Sequence, residues 1–305
     1  MHAPMGVIGE ALIDIVVDST GASTEFVGGS PANVAIGLAR LNHPCWLASH
    51  WGNDARGERI AELLACEGVA ATPGSANASQ TSTATAHLDA DGVASYDFDI
   101  TWELSFESLL DQPGVHLHTG SIAATLQPGA QTITEFLDRA KADRTISYDP
   151  NARPTLMGHP DTVRPHIEAL IAVSDVVKAS VEDVDWLYPG LSGRQVLSAW
   201  SQLGPALCLL TRGAQGVIGL INGQLFEEPA AVVHVADTIG AGDSFTSGLL
   251  SGLADAGLLG GAEHRARLRA AEYDQVAPAI ARALACSAIT VSRSGANPPR
   301  RDELS

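Results

Sequence analysis

Apolar and polar positions change period several times along the chain. Val7-Ile8-Gly9 opens a strand pattern that runs on toward Ile13-Asp14-Ile15-Val16-Val17. A turn-rich stretch, Asp18 to Ser23, separates it from Glu25-Phe26-Val27, so this region reads as a hairpin. After Gly28-Gly29-Ser30-Pro31 the period lengthens. Ala32, Ala35, Ile36 and Ala39 recur at helical spacing, with Ser30 suited to the N-cap and Pro31 to the first turn. A second hairpin is predicted where Thr83–Leu88 and Val93–Ile100 flank Asp89-Ala90-Asp91-Gly92, because Asp-Gly suits a tight turn.

From about residue 115 strands alternate with helices. Val115–His118, Thr145–Tyr148, Val176–Lys178, Ala206–Leu210 and Gly216–Leu220 read as strands. Helical patterns fall near 130–142, 161–173, 193–203 and 242–258, and a longer one near 262–286 closes the chain. Such alternation predicts an α/β fold with a mainly parallel sheet covered on both faces. The two early hairpins would form a small sheet outside it.

The 305 residues suit one α/β domain over 1–305, and 45% hydrophobic content is enough for a sizeable core. A net charge of −17 argues against nucleic acid, whose phosphates are held by Lys and Arg. Lys141 and Lys178 are the only lysines, so backbone amides and arginine must do most of any phosphate binding. Cys45, Cys66, Cys208 and Cys286 are widely spaced without a Cys-x-x-Cys pair, which suits a reduced, cytoplasmic protein. No apolar run is long enough for a bilayer, and no signal peptide is evident.

The most informative segment is Asp237-Thr238-Ile239-Gly240-Ala241-Gly242-Asp243-Ser244-Phe245. It is a small-residue loop leading into an apolar helix. Glycines allow close backbone approach, and open N–H groups at a helix start favour an anion. Asp243 would then stand beside bound phosphate, able to take a proton from an attacking hydroxyl. Taken alone, Asp243 reads equally well as an ordinary first-turn acid. There is no Gly-Lys dipeptide and no Gly-x-Gly-x-x-Gly after a strand, which weakens P-loop and Rossmann readings. His116 and His118 share one side of a strand, but with no third ligand nearby they read better as a packed pair than as a metal site.

Gly28-Gly29-Ser30-Pro31-Ala32-Asn33-Val34-Ala35 and Asp237-Thr238-Ile239-Gly240-Ala241-Gly242-Asp243 resemble the two signatures of the PfkB (ribokinase-like) carbohydrate kinases, in the expected order. Tyr148-Asp149-Pro150-Asn151-Ala152-Arg153-Pro154 and the wording of the first signature resemble the bacterial fructokinases. The resemblance covers essentially the whole chain. It implies a ribokinase-like three-layer α/β/α sandwich with a small β-sheet lid, its strands within about 15–27 and 83–101. It further implies transfer of the γ-phosphate of ATP to a sugar hydroxyl, most simply of fructose, with Mg2+ and a K+ ion as helpers.

The resemblance also assigns roles. Asp243 becomes the base, the amides of Gly240, Ala241 and Gly242 the anion hole, and Arg153 a phosphate ligand. Asp14, Gly28, Gly29, Asn33 and Asn151 would line the sugar. Lys178, Ser180, Thr211, Gly213, Gly216 and Asn297 would face ATP. Glu182 or Asp183 would organise magnesium through water, although Ser180 and Asp183 depart from the family's Asn-x-x-Glu. Asp237 and Ile239 would contribute oxygens to potassium. The early hairpins would cover the sugar and pair two subunits into a homodimer. Phe98 or Ile100 would touch substrate or simply fill the lid. A nucleoside or 2-keto-3-deoxygluconate kinase of the same family stays open at this point, as does a catalytically idle sugar-binding regulator.

Overall fold

The computed structural model describes residues 4–88, 94–110 and 112–304. Its strands, in chain order, are β1 (Met5–Ile8), β2 (Leu12–Val17), β3 (Ser23–Gly28), β4 (Cys45–Ala48), β5 (Val69–Ala71), β6 (Thr83–Leu88), β7 (Ala94–Asp99), β8 (His116–Gly120), β9 (Thr145–Asp149), β10 (Val176–Ser180), β11 (Leu207–Thr211), β12 (Val217–Ile221) and β13 (Gln224–Glu228). Nine of them form one sheet in the order β13-β12-β11-β10-β9-β8-β1-β4-β5. Every pairing from β11 to β5 is parallel, and only the β11-β12-β13 edge is antiparallel. The central strands are buried along their whole length, as a parallel sheet between two helical layers requires.

Alternation within the strands builds two cores. Val7, Leu47 and Leu209 join one cluster with the helices Ser30–Arg40, Ala241–Asp255 and Tyr273–Val291. Ile8, Trp46 and Leu210 point the other way, into a cluster with the helices Gly129–Ala140, Pro160–Val173 and Gly193–Leu203. The result is the three-layer α/β/α arrangement.

The chain leaves β1 at Gly9 and crosses to a second sheet, of order β3-β2-β6-β7. The run from Val7 to Val17 is therefore two strands in two sheets, with Gly9 to Ala11 between them. In the small sheet Phe26, Asp14, Ala84 and Phe98 lie in one cross-strand row on one face. The opposite face carries Ile13 and Glu25, and Glu25 is bound by Arg56 and Arg59 of the helix Ala55–Cys66. The turn expected at Asp89-Ala90-Asp91-Gly92 lies outside the described residues.

Some elements depart from the pattern reading. β4, β5, β13 and the helix Ala55–Cys66 were not anticipated from periodicity. β4 and β5 are runs of three or four apolar residues, which fit strand and helix equally, and they take their form from the sheet they complete. The closing helical stretch is two helices, Ala262–Arg269 and Tyr273–Val291, separated where Glu272 and Gln275 form a capping box. Among the described residues, no helix is long and apolar enough to cross a membrane.

Candidate active site

Parallel strands deliver their carboxyl ends to one edge of the sheet, where ligands of such folds gather. Here β9, β10 and β11 end on Asp149, Ser180 and Thr211. Two helices also begin at this edge. The helix Ala241–Asp255 starts from Gly240, whose left-handed φ of 73° turns the loop into the helix. Its first interior bond runs from the Ser244 N–H to the Gly240 carbonyl at 2.8 Å. Helix geometry therefore leaves the Gly242 and Asp243 N–H groups without intrahelical acceptors. Asp237 braces the loop: its carboxylate accepts from the Ile239 N–H at 3.0 Å and the Gly295 N–H at 2.8 Å. These amides hold the Asp237 carboxyl below the usual range.

The helix Ser30–Arg40 meets this start. Ser30 Oγ donates to Asp243 Oδ1 at 2.6 Å, and Asn33 Nδ2 donates to Asp243 Oδ2 at 2.8 Å. The N-cap of that helix is Gly29, with no side-chain cap bond, and not Ser30 as the sequence suggests. The Ser30 hydroxyl is committed to Asp243 instead. Gly29 has φ 106°, and a Cβ there would stand 2.4 Å from the Glu10 carbonyl oxygen. The glycine pair thus lets the chain from β3 press against the β1–β2 crossing. Gly28 lies against Asp14, whose Oδ2 would be 1.9 Å from an added Cβ.

Asp14 is partly buried in the small sheet. Burial pushes its carboxyl up to about 6; Arg153 opposes the rise and Asp243 adds to it. Arg153 is exposed, and its Nη1 donates to Asn151 Oδ1 at 2.8 Å and to the Ala152 carbonyl at 3.0 Å. Asn151 itself takes a positive φ of 38°. Thus Asp14, Arg153, Asn33 and Asp243 converge from four distant parts of the sequence.

Lys178 and Asp149 form a buried ion pair, Nζ to Oδ2 at 2.9 Å. Burial raises the Asp149 carboxyl to about 6 although Lys178 opposes it. Burial works to lower Lys178, but Asp149 together with Asp183 and Asp243 outweighs it and holds the ammonium above its ordinary range.

Ser180 and Asp183 cap the helix Val181–Leu187 reciprocally. Asp183 Oδ2 accepts from the Ser180 N–H at 2.7 Å, and Oδ1 accepts from the Ala152 N–H at 2.6 Å. Both of its oxygens are engaged, while Glu182 beside it is exposed. Among the described residues no three His, Cys, Asp or Glu converge to cage a metal ion. This donor set fits a hydrated magnesium carried on phosphates, which keeps most of its waters.

Thr211 lies level with Ser180, and its Oγ1 donates to the Ala179 carbonyl at 3.3 Å. Gly213 and Gly216 both take positive φ in the turn that follows. Gly295 and Ala296 flank the Gly240 loop. The Asn297 side chain is bound by Arg40 Nη1 at 2.6 Å, away from that loop.

Two groups escaped the sequence reading. Glu10 is buried at the β1–β2 crossing, where Oε2 accepts from the Ala123 N–H at 3.1 Å, and burial raises its carboxyl to about 7. Asp149 stands out in the sequence only as part of the Tyr148–Pro154 motif. An acid at a strand end next to a buried lysine on the neighbouring strand is the signal that could have found it. His116 and His118 form a packed pair, hydrogen-bonded to Ser147 Oγ at 2.9 Å each and held neutral by burial.

Open amides at a helix start, a carboxylate in the first turn and a second carboxylate over the cleft suit phosphoryl transfer to a hydroxyl. Residues 5–303 match the model of the pfkB family of carbohydrate kinases. A fructokinase of Klebsiella pneumoniae is 33% identical over 100% of this chain and 99% of its own. One from Rhizobium leguminosarum bv. trifolii is 34% identical over 80% of this chain and 78% of its own. Among solved structures, a fructokinase double mutant of Vibrio cholerae O395 with fructose, ADP and potassium ion bound superposes with a TM-score of 0.84, at 25% identity, over 100% of this chain and 98% of that one. The aminoimidazole riboside kinase of Salmonella enterica, bound to aminoimidazole riboside and an ATP analogue, gives a TM-score of 0.81 at 25% identity over 99% and 98%. With two signature motifs, the fold and a match along nearly the whole chain in agreement, this protein belongs to the pfkB family of carbohydrate kinases and is a sugar phosphotransferase.

Proposed function

We propose that the chain is an ATP-dependent fructokinase with Asp243 as its base. The observation that carries this reading is the Asp243 carboxylate at the open start of the helix Ala241–Asp255, in contact with Ser30 and Asn33. The sugar binds against Asp14, Gly28, Gly29, Asn33 and Asn151. Asp14 accepts from its hydroxyls, which an ionised carboxylate does without competing donors. ATP lies along Thr211, Gly213, Gly216, Lys178, Ser180 and the 295–297 segment. Of these, Asn297 contributes through its backbone, since its side chain serves Arg40.

The reacting sugar oxygen attacks the γ-phosphorus while the bond to the bridging oxygen of ADP breaks. Asp243 takes the hydroxyl proton. The amides at Gly240 and Gly242, with Arg153, bear on the oxygens of the transferring group, while the Ala241 N–H is committed to the Thr238 carbonyl at 3.3 Å. Magnesium would supply charge neutralisation on the phosphates when bound, and Glu182 or Asp183 would hold it through water. Asp237 and the Ile239 carbonyl would hold potassium at the back of the loop. The small sheet acts as a lid that keeps water from the γ-phosphate. Its open face also pairs two subunits, and the enzyme works in the cytoplasm.

A second reading, an aminoimidazole riboside kinase, draws support from the Salmonella neighbour. ADP release from Mg·ATP decides between them, with fructose, ribose, 2-keto-3-deoxygluconate, adenosine and aminoimidazole riboside tested in turn. Fructose is expected to give the highest kcat/KM. A higher value on any other member replaces the substrate, and silence on all five in folded protein that binds ATP overturns the enzyme reading.

A further inference from the structure

Directly behind the anion hole lies a charged pair whose place in the fold is informative. Lys178 Nζ and Asp149 Oδ2 are 2.9 Å apart, with side chains only 7% and 2% exposed. Asp149 is fixed from two further directions. Its Oδ1 accepts from the Asn151 N–H at 3.2 Å, and Thr246 Oγ1 approaches Oδ2 at 3.5 Å. Thr246 belongs to the same helix as Asp243, one turn on. The ammonium also has a defined outlook. A Cβ built on Gly242 would meet Lys178 Nζ at 3.0 Å, and beyond its own neighbours and helix backbone no other atom within 4 Å. The ammonium therefore faces the Cα of Gly242 in the first turn of that helix.

A buried ion pair is a poor stabilising device, because desolvation of both charges offsets most of their attraction; an apolar pair would hold β9 to β10 as well. Its location gives it a use. Asp14, Asp149, Asp183 and Asp243 make this region strongly negative, and the triphosphate of ATP adds to that. Lys178 is the buried cation among them, and a compact ammonium on a flexible stem fits a gap too narrow for a guanidinium.

We propose that Asp149 is a positioning residue that holds the Lys178 ammonium under the Gly242 amide, and that Lys178 bears on the phosphoryl group in transfer. This rests on the sugar-kinase reading above. In the resting protein Asp149 neutralises and aims the ammonium. As charge builds on the transferring oxygens, the ammonium is already in place and no solvent has to reorganise. A side chain at Gly242 would make Nζ give way by a few tenths of an ångström, so glycine there leaves the ammonium its place.

The test is steady-state kinetics with Mg·ATP and the best sugar of the panel, on Asp149→Asn, Lys178→Met and the double variant. Each single change should lower kcat by about 100-fold or more, with the sugar KM within about threefold, and the double variant should be no slower than Lys178→Met. Losses that multiply in the double variant, or Asp149→Asn with wild-type kcat, overturn the proposal. Should the asparagine variant fail to fold, Asp149→Glu keeps the charge but displaces the ammonium, and it too should lose kcat without loss of sugar affinity. A further readout separates positioning from packing: ethylammonium added to Lys178→Ala should restore part of kcat, and it should not do so in Asp149→Asn/Lys178→Ala. Equal rescue of both overturns Asp149's role. Wild-type enzyme silent on every sugar would fail the kinase reading itself, an outcome distinct from an active wild type with unaffected variants.

Discussion

At the scale of single residues, three carboxyls carry separable predictions. Removing the base should be the most severe change. Asp243→Asn keeps size and the Ser30 contact but cannot take a proton, and kcat should fall by about 10²–10⁴ with ATP binding retained. Near-wild-type turnover in a coupled ADP assay would sink the assignment. Asp14 should act through affinity. Burial raises its carboxyl to about 6, so it becomes protonated as pH drops through that value and can no longer accept from two hydroxyls. Sugar affinity measured by calorimetry should weaken toward tenfold per unit below about pH 6. In Asp14→Asn it should be weak and flat with pH, and a flat wild-type profile would remove Asp14 from the sugar site. Glu10 should act through stability. Its folded-state value of about 7 lies above the ordinary 4.5 of a glutamate, so the fold favours the protonated form. That contribution is fully present below pH 4.5 and is lost as pH rises through 7. The Tm of Glu10→Gln relative to wild type should therefore rise as pH is taken from 4.5 to 7; a constant difference would mean that Glu10 does not titrate in this window.

Elements place these residues, and the helix that begins with Asp243 is the most constrained. It packs so closely on Tyr273–Val291 that a Cβ on Gly252 would stand 2.4 Å from Ala279 Cα, which is backbone and cannot swing away. Gly252→Val should force the helices apart, cost about 1–3 kcal/mol, and lower kcat at a distance by moving the helix start. Unchanged Tm and kcat would show that the contact has slack. The same helix explains what the sequence could show. Its glycine loop and apolar body are local features, so residues 237–245 announce a candidate anion site, but only together with the Gly28–Ala35 motif do they set Asp243 apart from an ordinary first-turn acid. The Ser30 hydroxyl was not legible, because its partner is 213 positions away and local rules read it as a cap. Asp149 and Glu10 were hidden for a related reason: what distinguishes them is burial, and burial follows from strand order. Likewise β4 and β5 are too short to announce themselves and become strands by completing the edge beside β1.

For the molecule as a whole, the two sheets divide the labour of rigidity and access. The nine-stranded sheet, its central strands buried on both faces, holds the strand ends at Asp149, Ser180 and Thr211, on the proposed phosphate side. The four-stranded sheet is held from one face only, through Ile13 and the Glu25 contacts to Arg56 and Arg59. Its other face carries Asp14 in a row with Phe26, Ala84 and Phe98, and there Phe26 is 54% and Tyr96 58% exposed. Large apolar side chains left open on a sheet face beside the proposed sugar ligand Asp14 invite a cover. We expect that cover to be the same sheet of a second copy. Sedimentation velocity at tens of micromolar should show a dimer, and Phe26→Ser/Tyr96→Ser should shift it to monomer. Because the paired face includes the row of Asp14, dissociation should weaken sugar binding more than ATP binding. A monomeric wild type, or a double variant that stays dimeric with unaltered sugar KM, would place the dimer contact, if any forms, away from the lid and leave Phe26 and Tyr96 to close over the sugar within one subunit.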